Sequence, residues 1–325
     1  MTDAATNVLK VPAELYRLRF GRFLEDFVFT WALIAAAWLV AAKFKMWWVW
    51  VPAVLIVGVQ LNSLSNLLHD AVHWRVHPSR RFNDNLARWF LAAPLLLPLS
   101  VIRTSHLTHH RLLGDAADPD IMYYGNRAKA TRLGFVAFLL MLFSGLQFLR
   151  VGLKLLFGLR KKAAAAVSTW DGPEGPVPAD RSSLRLDVAA VVIAQLAIAA
   201  LLWALTGYWW AYGVLWLLPA ISILVGLNSL RTFCEHIEMT LDDGRPLPRL
   251  YTTLSMRMER HVIAPMNMNY HGEHHLQVAV PYYNLPKLRE FYRENCPAMP
   301  YATRRSYLGT LRDYWRALPL KERNG

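Results

Sequence analysis

Cysteine is nearly absent from the 325 residues: Cys234 and Cys296 are the only two, and neither belongs to a C-x-x-C or C-x-x-C-H pattern. That excludes a disulfide framework, a thiolate zinc site and c-type haem attachment. Acidic residues are also scarce, 23 against 36 Lys and Arg, for a formal net charge of +13. Such a balance can mark a nucleic-acid partner, but there is no basic stripe on a soluble module. The cations flank apolar segments instead, so nucleic acid is excluded and the charge reads as membrane topology. Met1 to Glu25 lacks a small-residue cleavage site after an apolar core, so no cleaved signal peptide is expected. No repeat is visible beyond a pair of helical hairpins.

What the chain has in abundance is apolar residues, 54%, with 13 tryptophans. Four segments, about 27–42, 46–68, 186–205 and 208–230, are long and apolar enough to cross a hydrocarbon core of roughly 30 Å. They form two hairpins, turning at Lys43-Phe44-Lys45 and at Thr206-Gly207. Both turns lie beside Trp or Tyr (Trp47, Trp48, Trp50; Tyr208, Trp209, Trp210), as in an aromatic belt on one membrane face. Leu86 to Ile102, broken by Pro94 and Pro98, and Phe135 to Phe157, interrupted by Gln147, Arg150 and Lys154, read as re-entrant or interfacial helices. Thr169 to Ser183, rich in Gly and Pro, reads as a flexible link.

If only the hairpins span, 34 of the 36 Lys and Arg fall on one side, Lys43 and Lys45 being the exceptions. Orientation follows that bias, so residues 1–25, 69–185 and 231–325 are expected to form a cytoplasmic cap. The expected fold is an all-α integral membrane protein: four transmembrane helices as two hairpins, with interfacial helices and a helical cap. Residues 1–325 then make one multi-pass domain, in the plasma (inner) membrane with its site on the cytoplasmic side.

Eight of the 11 histidines fall in three clusters: His69-Asp-Ala-Val-His73, His106-Leu-Thr-His109-His110 and His271-Gly-Glu-His274-His275. Positions i, i+3 and i+4 share one helix face, so each cluster can aim its imidazoles at one point. All three, with His236 beyond the fourth span, belong to segments assigned to the same membrane side. Eight or nine neutral imidazoles exceed what one ion uses, so two metal ions are implied. Imidazole suits Fe, Cu, Zn and Ni alike, and the spacing does not choose among them.

The order H-D-x-x-H, H-x-x-H-H, a histidine after the fourth span, and H-x-E-H-H followed by Val280-Pro-Tyr-Tyr-Asn-Leu-Pro286 resembles the membrane fatty-acid desaturase superfamily over roughly Asn62 to Leu288. That superfamily also contains carotenoid hydroxylases and ketolases. The resemblance implies a di-iron centre using O₂ on an unactivated C–H bond of a lipid or fatty-acyl chain, with desaturation expected and hydroxylation or ketone formation the alternative. Carried over by position, it makes His69, His73, His106, His109, His110, His236, His271, His274 and His275 the iron ligands. The first box has three intervening residues where acyl-CoA desaturases usually have four, and the third begins with His271 where front-end desaturases have glutamine. With no fused cytochrome b5 segment, electrons are expected from an external ferredoxin-, rubredoxin- or cytochrome b5-like donor.

Several neighbours qualify as supports. Asp70, Glu235 and Glu273 adjoin ligands and can accept from the second imidazole nitrogen, fixing its tautomer. Asp118, in the turn Asp115-Ala-Ala-Asp118-Pro-Asp120, can pair with Arg111 or with a histidine. Asn267 and Asn269 can orient ligands or a water. Arg257 and Arg260 can hold a substrate's polar end at the membrane surface. His77 and His261 stand outside the clusters as ordinary surface or core histidines.

Two other classes fit less well. The zincin motif H-E-x-x-H requires Glu where Asp70 stands, and a peptidase leaves the other clusters without a role. A metal transporter needs polar groups near the midplane of its spans, and these spans hold almost none.

Overall fold

A segment in lipid must satisfy its backbone hydrogen bonds internally, and the four apolar stretches do so as helices. The computed structural model describes residues 10–125, 131–146, 181–238, 249–296 and 298–319. In it α1 (Phe20–Phe44) and α2 (Trp47–Val72) form the first hairpin. The second pairs α7 (Arg181–Thr206) with a helix over Gly213–His236, whose last part is α8 (Val225–His236). These four helices are long and apolar enough to cross a membrane.

Shorter elements surround the ends of α2 and α8. They are α3 (Arg80–Leu86), α4 (Leu99–Leu112), α5 (Ile121–Tyr124), α6 (Arg132–Phe143), α9 (Arg257–Ile263), α10 (His271–Leu276), α11 (Leu285–Asn295) and α12 (Tyr307–Ala317). The strands β1 (Tyr251–Thr253) and β2 (Ala302–Arg304) pair in parallel. The structure is thus mainly helical, and this small sheet is the departure from all-α among the described residues.

The hairpin turns meet at one end. Lys45 Nζ lies 5.3 Å from the Tyr208 ring centroid, and the Trp50 and Trp210 rings are 5.0 Å apart. Trp50 Nε1 donates to the Ala41 carbonyl, while Trp47, Trp48 and Trp209 remain exposed, which suits the amphipathic rings of an interfacial belt.

At the opposite end the helices outrun the hydropathy. α2 continues to Val72 and carries His69 in its last turns, and α8 ends on His236. Hydropathy alone places both histidines beyond the spans, because polarity rises there. The helices persist because those polar turns are buried beneath the shorter elements.

Leu86 to Ile102 is not one helix. A π-helical turn, Ala87–Ala92, gives way to an irregular segment before α4 begins at Leu99. Its freed carbonyls are claimed by the spans: Gln195 Nε2 donates to Ala93 and Pro94, and Trp216 Nε1 donates to Pro94. Irregular backbone is tolerated among membrane helices when neighbours satisfy it in this way. Pro219, which lacks an N–H, likewise coincides with π-helical turns in the fourth helix. Of the second ambiguous stretch, α6 covers Arg132–Phe143; Gln147, Arg150 and Lys154, like the Gly/Pro-rich link through Asp180, lie outside the described residues.

Close helix contact depends on missing side chains. A Cβ at Gly58 on α2 would meet Ile223 at 2.6 Å, and one at Gly226 on α8 would strike the Phe143 ring. Gly58→Val should therefore destabilise the bundle by about 1–3 kcal/mol, as overpacking does. Thermal unfolding of the detergent-purified protein checks this, and an unchanged midpoint contradicts the packing.

Candidate metal centre

The first box is delivered by the end of α2. Arg103, reaching from α4, donates Nε to the Val72 carbonyl and Nη2 to the Ala71 carbonyl, capping the helix. It also pairs with Asp84 at 2.6 Å. Because α4 carries the second box, this one guanidinium fixes the two boxes relative to each other. The third box rides on α10, and its glycine is required there: a Cβ at Gly272 would stand 2.5 Å from Tyr301 and 2.8 Å from Thr252 Oγ1. The Gly272 N–H donates to that same oxygen at 3.0 Å, seating α10 on β1.

These elements bring all nine sequence-selected histidines together in two groups. His69, His73, His106, His110 and His274 form one; His109, His236, His271 and His275 form the other. Within each group one ring nitrogen per residue lies within 4.8 Å of all the others. The groups adjoin, the rings of His110 and His275 having centroids 4.1 Å apart. His77 and His261 belong to neither: His77 packs on Phe20 and Phe82, and His261 Nδ1 bonds the Arg257 carbonyl.

The nitrogens face one another. His106 Nε2 is 2.9 Å from His73 Nε2 and 3.0 Å from His110 Nε2, which is itself 3.1 Å from His274 Nε2. In the second group His271 Nε2 is 2.9 Å from His236 Nε2 and 3.0 Å from His275 Nε2. A neutral imidazole nitrogen carries either one proton or one lone pair, so such chains cannot be satisfied as hydrogen bonds throughout. Both nitrogens of buried His69 lack any hydrogen-bond partner among the described residues. A cation resolves the conflict: with metal–nitrogen bonds of roughly 2.0–2.1 Å, two ligands at right angles stand about 3 Å apart. The donor set fits a pair of metal ions.

Protonation agrees. Burial, reinforced by neighbouring imidazoles, holds His73, His106, His110, His271 and His275 well below the ordinary histidine range. Burial with the charge of Arg231 pushes His274 down to about 3. These rings are neutral at pH 7, as ligation requires. His109 differs: burial would lower it, but the hydrogen bond it donates to Asp118 and the charges of Asp120, Asp118 and Glu235 outweigh that and raise it.

Of the six supporting residues chosen from the sequence, Asp118 bonds a clustered ring, at 3.0 and 3.1 Å from His109 Nδ1. Glu235 Oε2 stands 3.4 Å from His271 Nδ1. The others serve the framework. Asp70 accepts from the Tyr282 N–H at 3.0 Å. Glu273 accepts from Thr252, from Tyr301 at 2.6 Å and from Arg289 at 2.8 Å. Asn267 and Asn269 donate to the carbonyls of Tyr282 and Thr253.

Some partners escaped sequence reasoning. Tyr124 donates to Asp118, and Tyr307 donates to Glu235 at 2.9 Å. The Arg249 carbonyl accepts from His236 Nδ1 at 3.0 Å, leaving Nε2 for its group. Tyr124 had a faint signal, six residues after Asp118; the backbone carbonyl had none.

A cavity of about 240 Å³ opens on the histidines, lined by His69, His106, His109, His236 and His271 from both groups. Arg257 and Arg260 do not reach it. They line a separate groove of about 620 Å³ with Arg22, Phe29 and Val59, beside α1 and α2.

Residues 45–307 match the family model "Fatty acid desaturase". The dihydrorhizobitoxine desaturase of Bradyrhizobium elkanii is 27% identical over 270 residues, covering 80% of this chain and 72% of that one. The sn-1 acyl-lipid omega-3 desaturase (ferredoxin) of Synechocystis sp. is 25% identical over 305 residues, covering 87% and 80%. With the family model spanning most of its length and four apolar helices bearing the histidine clusters at one end, the chain belongs to the fatty acid desaturase family and is a membrane oxidoreductase of the desaturase type.

Proposed function

We propose that this chain is an O₂-dependent di-iron desaturase that introduces a double bond into a lipid or fatty-acyl chain. The carrying observation is the pair of imidazole groups, five and four, that close on the same cavity. In this reading the nine histidines hold two irons, whose chemistry is the reduction of O₂ coupled to removal of two hydrogens. The balance is RCH₂–CH₂R′ + O₂ + 2 e⁻ + 2 H⁺ giving RCH=CHR′ and two waters. A separate ferredoxin-, rubredoxin- or cytochrome b5-like protein supplies the electrons; one relative's name includes ferredoxin.

The residues of the chain do the positioning. Asp118 and the Arg249 carbonyl hold protons on the Nδ1 atoms of His109 and His236, so each ring presents Nε2 inward. Leu68, Val72, Ile102 and Leu224 give the cavity a dry apolar wall against which a methylene pair can lie. Outcome depends on that placement, since reacting atoms must be held near 3–3.5 Å in an aligned geometry.

In this reading the chain is a multi-pass protein of the plasma (inner) membrane with its site on the cytoplasmic side, an orientation supported by the excess of Lys and Arg on one side of the hairpins. The chain acts there as one membrane unit, residues 1–325.

Mass spectrometry of lipids from cells expressing the protein should reveal a product two mass units lighter, missing with His110→Ala or His274→Ala; a gain of sixteen instead makes the enzyme a hydroxylase. Purified wild type should bind two irons per chain by elemental analysis, and either variant fewer; full iron in both rejects the ligand set. Asp118→Asn should weaken iron binding about 10–100-fold while leaving helix content intact, as loss of a ligand's hydrogen-bond partner does. For sidedness, cysteines placed at Gly207 and at Arg312 are labelled from outside intact cells. Gly207 alone should react, and modification of Arg312→Cys overturns the cytoplasmic assignment.

A further inference from the structure

The cavity beside the histidines is not uniformly apolar. Its lining mixes Leu68, Val72, Ile102 and Leu224 with the polar residues Ser65, Asn228, Arg231, Thr232, Asp120 and Tyr123. Asn228, Thr232 and His236 stand at i, i+4 and i+8 on α8, so one helix face runs from polar residues into a clustered histidine. Asn228 Nδ2 donates to Ser65 Oγ at 3.2 Å, joining α8 to α2 within this lining.

Arg231 is the unusual member. It is 7% exposed, and the surface it keeps belongs to the cavity lining. A guanidinium offers five N–H donors. Nη1 donates to Asn66, while Nε makes no hydrogen bond among the described residues and stands 3.5 Å from Glu235 Oε2. That carboxylate is shared with Tyr307 at 2.9 Å and His271 at 3.4 Å. Nε is enclosed against Glu235, so an incoming carboxylate would meet the remaining N–H edge of the guanidinium, and a cation in this position suits an anionic partner held by charge-assisted hydrogen bonds. The acidic group of the lining, Asp120, lies 3.7 Å from His109 Nδ1 and so faces the histidine side.

We propose that Arg231 binds a carboxylate of the substrate inside this cavity, so that the enzyme acts on a short-chain free acid, oxidised a few carbons from its polar head. A long-chain lipid needs apolar wall on both sides of the reacting carbon and leaves its head at the bilayer surface. Here a cation and the clustered imidazoles share one space of about 240 Å³, below the roughly 300–1,000 Å³ usual for ligand pockets. The inference rests on the reading of the cavity as the oxidation site, and it specifies which substrate enters.

Thermal-shift titration of the purified, iron-loaded enzyme tests it with octanoate, methyl octanoate and stearate. Octanoate should bind at least about tenfold more tightly than either, a difference well within the reach of one charge-assisted pair. Arg231→Gln should bring octanoate level with its ester at unchanged iron content. If that variant loses iron or fails to fold, Arg231→Lys, which keeps the cation without the planar fork, should retain a reduced preference for octanoate over its ester, and an unreduced preference counts against the guanidinium.

Equal binding of acid and ester by the wild type, or a preference surviving in Arg231→Gln, overturns the proposal. So does desaturation of stearoyl chains in phosphatidylglycerol vesicles by an enzyme indifferent to octanoate. That last result leaves the di-iron desaturase reading standing, whereas a protein that binds no iron defeats that reading first.

Discussion

Nine imidazoles, six of them buried, crowd together with facing nitrogens about 3 Å apart, and this is the constraint on which the rest of the structure depends. An unsatisfied buried polar group costs about 1–3 kcal/mol, and four buried ring nitrogens, both of His69 with Nδ1 of His271 and of His274, make no hydrogen bond among the described residues. Such an arrangement persists only if the surrounding fold imposes it and a bound cation converts the crowded lone pairs into ligands. The four apolar helices provide the first condition. Their hairpin tips are locked by stacked Trp and Tyr at the end away from the histidines, so packing energy is gathered where no chemistry occurs.

The second layer of contacts turns that scaffold into a defined geometry. Arg103 couples the first box to the second, and Glu273 gathers Thr252, Tyr301 and Arg289 around the third. Glu235 and Tyr307 connect α8 to α12, so an element far along the chain bears on the ring of His271. Each carboxylate beside a box is therefore occupied, but mostly in joining elements and not in touching an imidazole directly. A carboxylate that serves the framework fixes a ligand helix as a unit, whereas Asp118 fixes a single ring.

This division explains what the sequence revealed. The spans and histidine groups were legible because they are periodic or clustered in the chain: hydropathy marks helices, and i, i+3, i+4 spacing marks a shared face. Helix ends were less legible, since α2 and α8 continue into polar turns buried by tertiary packing, and hydropathy cannot distinguish those turns from water-exposed ones. The partners of Asp70 and Glu273 were hidden for another reason. They come from Tyr282, Thr252 and Arg289, whose contacts depend on how distant segments fold back. The small sheet was invisible as well, because three-residue strands carry no pattern, although Gly272 marks the place where α10 must approach β1.

Arg231 shows how position gives one residue type two meanings. Arg257 and Arg260 border a groove beside α1 and α2, where long cationic side chains can lay their stems on apolar helices and keep their charges in the interface. Arg231 is three residues beyond Asn228 on α8, inside the ring of elements that encloses the histidines, and it lines the cavity and not the membrane interface. Hydropathy sees three arginines near helix ends. Burial separates them into two that favour a membrane surface and one whose environment already contains the cationic chemistry of the site. Glu235 lies 3.5 Å from Arg231 Nε, while Asp118 and Asp120 set their charges beside His109. The electrostatics of the cavity are thus set jointly by α8 and by the turn after the second box, which lines the cavity with Asp120 as well as supporting His109.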